Sequence, residues 1–291
     1  MNIAIMTSTY RDHRAGGPET PYPEAMARLK AAGFDIQDLN LCSMNFPERN
    51  VFCGDDWEKY LDEVLEAKKK YKIEFCQSHP PYLRGPHPEY GEAIKGEMFR
   101  KMTMRALDIT ARIGAPWAVL HPVSAGPSAS WEEQIAANHR QFGEAVKHAE
   151  ELGIGVAFEN MSQFPDAPWR FGCNAKELNA LVDSFDSPAV GICWDFGHAN
   201  LSRLDQPAEL REMGSRLKVV HVADNLGARD DHFIPFQGTI RWEEIIPVLT
   251  EIGFPGHLNL EVCLTNHMPE ELKDAAVRMA AESMKVLLKL A

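Results

Sequence analysis

The segment Gly191-Ile-Cys-Trp-Asp-Phe-Gly-His-Ala-Asn200 decides how the rest of this 291-residue chain is interpreted. The apolar run from Ala189 to Trp194 predicts a short buried strand, which delivers Asp195 and His198 at its carboxyl end, before a helix begins. A buried carboxylate costs free energy unless a cation or hydrogen-bond donors meet it. The pair is therefore either a hydrogen-bonded structural feature or part of a functional site.

The same pattern, an apolar run that ends in a polar side chain, recurs along the chain at His79, His121, Glu159, His221 and Glu261. Segments with a helical period of apolar residues separate these runs. Eight strand and helix pairs with short connections predict one (β/α)8 TIM barrel that spans residues 1–291. The predicted strands are Met1 to Met6, Phe34 to Leu41, Lys72 to Gln77, Pro116 to Leu120, Ile154 to Phe158, Ala189 to Trp194, Leu217 to Val220 and His257 to Leu260. A doubly wound open sheet is the alternative, but its glycine-rich phosphate fingerprint is missing after the first strand.

Composition narrows the class of protein. One quarter of the residues are charged, 45% are hydrophobic, and the net charge is -12. This acidic balance counts against a nucleic-acid partner, which normally meets a basic surface, unless bound metals supply positive charge locally. The six cysteines form no CxxC pair, so neither a disulfide framework nor a thiolate zinc site is predicted. Without an apolar run of membrane-spanning length or a secretory signal, the chain is expected to be cytoplasmic, with no membrane partner.

Four polar residues fall at the ends of consecutive predicted strands, the fifth to the eighth. In a closed barrel these ends aim Glu159, Asp195, His221 and Glu261 at a common point. Three carboxylates at one point repel one another unless a cation neutralises them. Carboxylate and imidazole donors suit Mn²⁺, Mg²⁺, Co²⁺ or Zn²⁺. The sequence therefore predicts a site for one divalent metal ion.

Four segments resemble signature motifs of the xylose isomerase-like barrel superfamily, and within it the sugar phosphate isomerases and epimerases. They are Phe158-Glu-Asn160, Trp194-Asp-Phe-Gly-His198, Val220-His-Val-Ala-Asp-Asn225 and Leu260-Glu-Val262. The resemblance implies that Glu159, Asp195, His221 and Glu261 hold one metal ion, for which we favour Mn²⁺. It also implies that the two glutamates act as acid and base and that His198 contacts the substrate. Because barrels of this superfamily often pair, a homo-oligomer is a further expectation.

The endonuclease IV branch of the same superfamily cleaves DNA at abasic sites with three metals. This chain has counterparts for the remaining ligands of that branch: His79, His121, His198, Asp230 and His232. Asp230 and His232 are thus a candidate second metal site. The sequence around both sites resembles that of the sugar-active members. Phe236 occupies a position where glycine is commoner in both branches.

The expected reaction is isomerisation or epimerisation of a small carbohydrate, free or phosphorylated. A divalent ion stabilises the enediolate of a hydroxy ketone, and Glu159 and Glu261 remove and return the carbon-bound proton. Two alternatives stay open: a keto-sugar or keto-inositol lyase or dehydratase with the same metal site, and an abasic-site endonuclease. Arg11 or Arg14 is a candidate phosphate ligand. The candidate substrate-binding residues are His79, His121, His198, Arg229 and His232.

Overall fold

Eight parallel strands form a closed barrel in a computed structural model that describes residues 1–10, 20–85, 92–266 and 268–291. Each strand pairs with the next along the chain, and the last pairs with the first. The predicted (β/α)8 TIM barrel is therefore confirmed. The strands are β1 Ile3–Met6, β2 Ile36–Asn40, β3 Glu74–His79, β4 Trp117–Leu120, β5 Gly155–Glu159, β6 Val190–Asp195, β7 Leu217–Val222 and β8 Leu258–Leu260. Arg11 and Arg14 lie outside the described residues.

Helices surround the barrel and cover the outer faces of its strands. They are α1 Tyr22–Ala31, α2 Trp57–Tyr71, α3 Gly96–Ile113, α4 Trp131–Leu152, α5 Ala175–Ser184, α6 Phe196–Leu201, α7 Gln206–Met213, α8 Trp242–Glu251 and α9 Glu270–Leu288. Local sequence fixes several ends: α4 begins at a capping box of Ser130 and Glu133 and ends at Gly153, whose φ of +73° is left-handed. An N-terminal cap such as Ser130 stabilises a helix by about 1 kcal/mol. No helix in the described ranges is both long and apolar enough to cross a membrane.

The part of the barrel interior that lies below the carboxyl ends of β4 to β7 is apolar. Val119, Ala157, Cys193 and Val219 form one cluster there, and the ring of Trp117 packs against them. Gly155 leaves room for this ring, because a Cβ atom at that position would lie 2.1 Å from Trp117 Cζ3.

A one-residue bulge in β3 changes which side chains face the interior. The pairing with β2 passes from Gln37 and Phe75 to Asp38 and Gln77, which leaves Cys76 as the extra residue. Cys76 packs inside the barrel in a cluster with two other buried apolar residues, and Gln77 also points inward, to within 2.8 Å of His221. A bulge of this kind re-aims a side chain that regular alternation would place elsewhere.

Two boundaries near the site differ from the sequence predictions. The third strand, predicted to end at Gln77, runs to His79, so that histidine lies within the strand. The prediction that His198 precedes the next helix is wrong, because α6 begins directly after Asp195. Asp195 Oδ1 accepts a hydrogen bond of 2.6 Å from the backbone N–H of His198, which caps the helix at its first turn.

Candidate metal centre and substrate cavity

Four side chains meet at the carboxyl-terminal mouth of the barrel, and we call them the metal centre: Glu159, Asp195, His221 and Glu261. His221 Nδ1 lies 3.1 Å from Glu159 Oε1, 2.5 Å from Glu261 Oε2 and 4.0 Å from Asp195 Oδ2. One ligand atom from each of the four lies within 4.8 Å of the others. The structure thus brings together the four residues at consecutive strand ends, and their cluster could hold a metal ion.

Asn160 fixes the ends of β5 and β6 relative to each other. Its Oδ1 accepts a hydrogen bond of 2.6 Å from the backbone N–H of Asp195, and its Nδ2 donates to the Asp195 carbonyl at 3.0 Å. Both bonds are buried, where a hydrogen bond is electrostatically stronger than in water. The amide of Asn160 therefore holds Glu159 and Asp195, the last residues of their strands, at a constant separation.

Two buried carboxylate oxygens indicate whether the metal centre can accommodate a cation. Among the described residues, Glu159 Oε2 and Glu261 Oε2 have only imidazole nitrogens at contact distance, the nearest being His121 Nε2 at 3.0 Å and His221 Nδ1 at 2.5 Å, and neither contact has the geometry of a hydrogen bond. An unpartnered buried carboxylate oxygen is costly, and the cost falls when a cation is bound beside it. Three carboxylates and one imidazole are also donors that divalent ions accept. The side chains present fit a divalent cation.

The electrostatics of the centre favour ionised carboxylates at neutral pH. Burial, with the carboxylates of Glu159 and Glu261 adding to it, raises the pKa of Asp195 to about 6. Burial also acts to raise the pKa of Glu261, but the adjacent His221 outweighs it and lowers the pKa to about 2. In the same way, contacts with His221 and His121 outweigh burial and hold the pKa of Glu159 well below its usual range. All three groups are therefore available to a cation at pH 7.

Three histidines surround the carboxylate of Glu159. Its Oε2 lies 3.3 Å from His79 Nε2 and 3.0 Å from His121 Nε2, and those two nitrogens are 3.2 Å apart. His198 Nδ1 lies 3.5 Å from the other carboxylate oxygen and donates to the Asn160 carbonyl at 2.8 Å. The structure therefore brings these three candidate substrate-binding residues to the metal centre.

The candidate second metal pair lies beside the first centre. His232 Nε2 is 3.0 Å from Asp230 Oδ2, and its Nδ1 donates to the Glu261 carbonyl at 3.0 Å. His198 Nε2 approaches the same Asp230 oxygen at 3.6 Å. Arg229, by contrast, is not among the residues that line the cavity: its side chain is 83% exposed and pairs with Asp231 Oδ1 at 2.8 Å.

A cavity of about 460 Å³ opens onto the centre, and several residues of its wall were not predicted from the sequence. The ring of Tyr82 stacks on His121 with centroids 4.4 Å apart, and Arg84 Nη1 donates to the Tyr82 hydroxyl at 3.2 Å. Arg84 also lies over the ring of Phe46, 5.3 Å from its centroid. Arg170 lines the same cavity. The nearest signal in the sequence was the Pro80-Pro81 pair, which predicts an extended exit from β3 but no direction for the side chains beyond it.

The loop after β7 is held by a buried carboxylate. Asp224 Oδ2 accepts from the indole N–H of Trp242 and from the backbone N–H of Phe236, both at 3.1 Å. Phe236 has a φ of +74°, the left-handed conformation that glycine adopts without steric cost. This conformation accounts for the expectation of glycine at that position.

A closed parallel barrel with a cluster of acids and histidines at its carboxyl-terminal mouth has the organisation of TIM-barrel enzymes, which place their active sites there. The chain belongs to the xylose isomerase-like TIM barrel family, whose model matches residues 19–290. The resemblance inferred from the four motifs is thereby confirmed.

Three proteins illustrate what the chain is similar to. An uncharacterized protein of Methanocaldococcus jannaschii is 28% identical over 213 residues, which are 70% of this chain and 69% of that protein. Fructoselysine 3-epimerase of Escherichia coli O157:H7 is 25% identical over 197 residues, 64% of this chain and just under two thirds (66%) of that protein. The crystal structure of a D-tagatose 3-epimerase-like protein superposes with a TM-score of 0.72 at 20% identity, covering 99% of both chains. At that identity the superposition supports the fold alone.

Proposed function

We propose that the protein is a divalent-metal-dependent epimerase or isomerase of a ketose in which Glu159 and Glu261 transfer the proton. One observation carries this proposal: Glu159, which is buried, and Glu261, which is partly buried, both line the cavity and both contact the same nitrogen of His221, Nδ1. The fructoselysine 3-epimerase relative supports the same reaction class.

Glu159, Asp195, His221 and Glu261 would hold the ion, and we favour Mn²⁺ because oxygen donors predominate. When bound, the cation supplies Lewis-acid polarisation of the substrate carbonyl. The two glutamates come from different strand ends, Glu159 from β5 and Glu261 from just after β8. One can remove the carbon-bound proton while the other delivers a proton from a second direction, which inverts the carbon. Return of the proton to the neighbouring carbon gives isomerisation instead.

The histidines around the centre are proposed to orient substrate oxygens. His79 Nδ1 donates to the Pro80 carbonyl at 3.0 Å and His198 Nδ1 donates to the Asn160 carbonyl at 2.8 Å. These bonds fix the orientation of both rings, so each directs Nε2 away from the backbone, His79 towards Glu159 and His198 towards Asp230. His121 and His232 also line the cavity. Rings held in one orientation lower the entropy cost of positioning a polyhydroxy substrate.

Arg84 and Arg170 support a substrate that carries an oxyanion, either a phosphate or a carboxylate. Among the described residues, neither guanidinium has a carboxylate partner within ion-pair distance, although the chain carries a net charge of -12. Arg84→Met or Arg170→Met should raise KM for a ketose 6-phosphate or a keto-uronate about tenfold or more, because one charge-assisted hydrogen bond contributes about 1.5–3 kcal/mol. KM for the neutral ketose should not change. Equal effects on charged and neutral sugars would remove this assignment.

The proton-transfer roles are tested by exchange of solvent deuterium into ketoses, followed by NMR with Mn²⁺ added. Glu159→Gln and Glu261→Gln should each slow exchange about 10²- to 10⁴-fold, the usual contribution of a general acid or base. Glu209→Gln is the control, since this carboxylate accepts from the Ala175 N–H on another part of the surface. Full exchange in both active-site variants would remove the glutamates as the pair. Elimination products from a keto-sugar, without exchange into ketoses, would favour the lyase alternative.

A further inference from the structure

Helix α9 carries two apolar faces, and one of them points to solvent. The residues that pack against the barrel are Val277, Ala280, Ala281, Met284 and Leu287. Leu272, Met279 and Val286 lie outside this set at intervals of seven residues, and they are 54%, 58% and 49% exposed. Seven residues are two helical turns to within about 20°, so these three side chains form one line along the outside of the helix, which we call the α9 stripe. A surface helix normally presents polar side chains on its outer face.

An exposed phenylalanine lies in the loop that packs beside the α9 stripe. Ser283 Oγ donates to the Pro235 carbonyl at 2.9 Å, and this bond holds the loop after β7 against α9. The next residue, Phe236, is 44% exposed, and its left-handed φ of +74° is unfavourable for a residue with a Cβ atom. A partner that covers the ring would offset the cost of exposing it. Exposed apolar side chains grouped in this way mark an interface with another protein.

The charged residues beside the α9 stripe are complementary to those of an antiparallel copy of the same helix. Glu271 and Lys289 lie eighteen residues apart, which is five helical turns, so both fall on one line along the helix. Each of them is nine residues from Ala280. Arg278 and Glu282 flank that line, and each is two residues from the same alanine. All four side chains are exposed. A two-fold axis near Ala280 therefore places an opposite charge against each of them.

The α9 stripe has the same symmetry as the charges. Leu272 and Val286 are each seven residues from Met279, which is one position from the centre of the charged pairs. One residue is about 1.5 Å along the helix axis, so a single two-fold axis serves both sets. Ala275, which is exposed and small, lies between the stripe and the charged line. Because every contact of a two-fold interface occurs twice, a self-complementary surface of this kind fits a second copy of the chain.

We propose that α9 is a self-association surface on which a second copy of this chain packs antiparallel. At the axis, Met279 meets its own counterpart. The other contacts, each made twice, join Leu272 to Val286 of the partner subunit, Glu271 to Lys289 of the partner subunit and Arg278 to Glu282 of the partner subunit. The inference does not depend on the proposed metal centre, since none of these residues lines the cavity.

The first test is the mass of the protein in solution, measured by sedimentation equilibrium over a range of concentrations. We expect twice the chain mass of 32.6 kDa for the wild type. Met279→Glu places two like charges against each other at the axis, so it should raise the Kd of the dimer about 100-fold or more. The matched control is Met98→Glu, the same substitution at a methionine of α3 that is 46% exposed, and it should leave the Kd unchanged.

Two outcomes of this measurement would overturn the proposal. A wild type that stays monomeric at every concentration leaves the α9 stripe to a partner other than a second copy. A dimer whose Kd is the same in Met279→Glu associates through a different face.

The second test exchanges the charges of Glu271 and Lys289. Neither side chain has an ion-pair partner among the described residues, whereas Glu282 already contacts Lys285 at 2.7 Å within its own helix. Glu271→Lys or Lys289→Glu alone puts like charges against each other at both ends of the interface. Each should raise the Kd of the dimer about tenfold, because exposed charge pairs contribute modestly. Both changes in one chain should restore the Kd of the wild type.

An equimolar mixture of the two single variants distinguishes the antiparallel arrangement from any other. Heterodimers should form about as tightly as the wild-type dimer, because both charge pairs then join opposite charges, while each variant by itself dissociates. If the mixture associates no better than the separate variants, the two copies do not pair in this register and the proposal fails.

Discussion

Asp195→Asn should make the metal-free protein more stable while it weakens metal binding. Asp195 is buried, and its pKa in the folded protein is about 6 against an ordinary value of 3.8. Because the folded state binds this proton more tightly than the unfolded chain does, the ionised carboxylate opposes folding above pH 6. A difference of roughly two units corresponds to about 3 kcal/mol at pH 7.5. Asparagine removes this charge. Its Oδ1 can still accept the hydrogen bond from the backbone N–H of His198 that caps α6, which is 2.6 Å long in the wild type.

The assay is thermal unfolding in the presence of a chelator. For a chain of 291 residues the entropy of unfolding is on the order of 0.6 kcal/mol/K, so 3 kcal/mol raises Tm by about 5 °C. The higher Tm of Asp195→Asn relative to wild type should disappear as the pH falls towards 4, because Asp195 is then protonated in the folded wild type as well. Asp195→Ala should show less gain at pH 7.5, because it also loses the helix cap, a loss of about 1 kcal/mol.

Added Mn²⁺ should make the wild type more stable than Asp195→Asn. An ion present at 1,000 times its Kd stabilises the wild type by about 4 kcal/mol, whereas the variant, with one ligand charge fewer, should gain much less. A metal-free Asp195→Asn protein that is no more stable than wild type at pH 7.5 would refute the reasoning. So would a stability gain that persists unchanged at pH 4, since the gain must follow the titration of the carboxylate.

Two further predictions concern the centre and the barrel beneath it. The apparent affinity for Mn²⁺, measured by calorimetry, should fall as the pH is lowered, because protons compete for Asp195, whose pKa is about 6, and for His221, where contacts with Cys193, Glu261 and Glu159 outweigh burial and raise the pKa above its usual range; affinity that is independent of pH from 4.5 to 7.5 would contradict this. Gly155→Ala should lower stability by about 1–3 kcal/mol, because its Cβ would meet the Trp117 ring at 2.1 Å, and Mn²⁺ affinity should not change. A Tm equal to that of wild type would show that the ring moves aside freely.

Local patterns in the sequence were sufficient for the barrel and for the main cluster. Short apolar runs identified the strands, and the alternation with helices identified the closed barrel, because both signals come from neighbouring residues. Glu159, Asp195, His221 and Glu261 were found for the same reason, since each follows an apolar run. The side chains meet only because the sheet closes. The sequence therefore predicts that they converge but not the distances between them.

Other residues depend on geometry that no short pattern encodes. Gln77 reaches the interior through a one-residue bulge, which the sequence around Cys76 does not announce. Arg84 is placed by its contacts with Tyr82 and Phe46 in a loop. Arg229, by contrast, was a candidate substrate-binding residue from the sequence, yet a neighbouring aspartate, Asp231, holds it at the surface. Side chains in loops are directed by long-range packing, and for that reason the substrate-binding wall was the least predictable part of the site.

Glu159, Asp195, His221 and Glu261 are proposed to bind one divalent ion together. The most direct measurement is elemental analysis of the protein after equilibrium dialysis against Mn²⁺, for the wild type and for His221→Asn. We expect about one ion per chain in the wild type and a clear loss in the variant. No bound ion in a folded wild-type protein, or an equal amount in both proteins, would contradict the account.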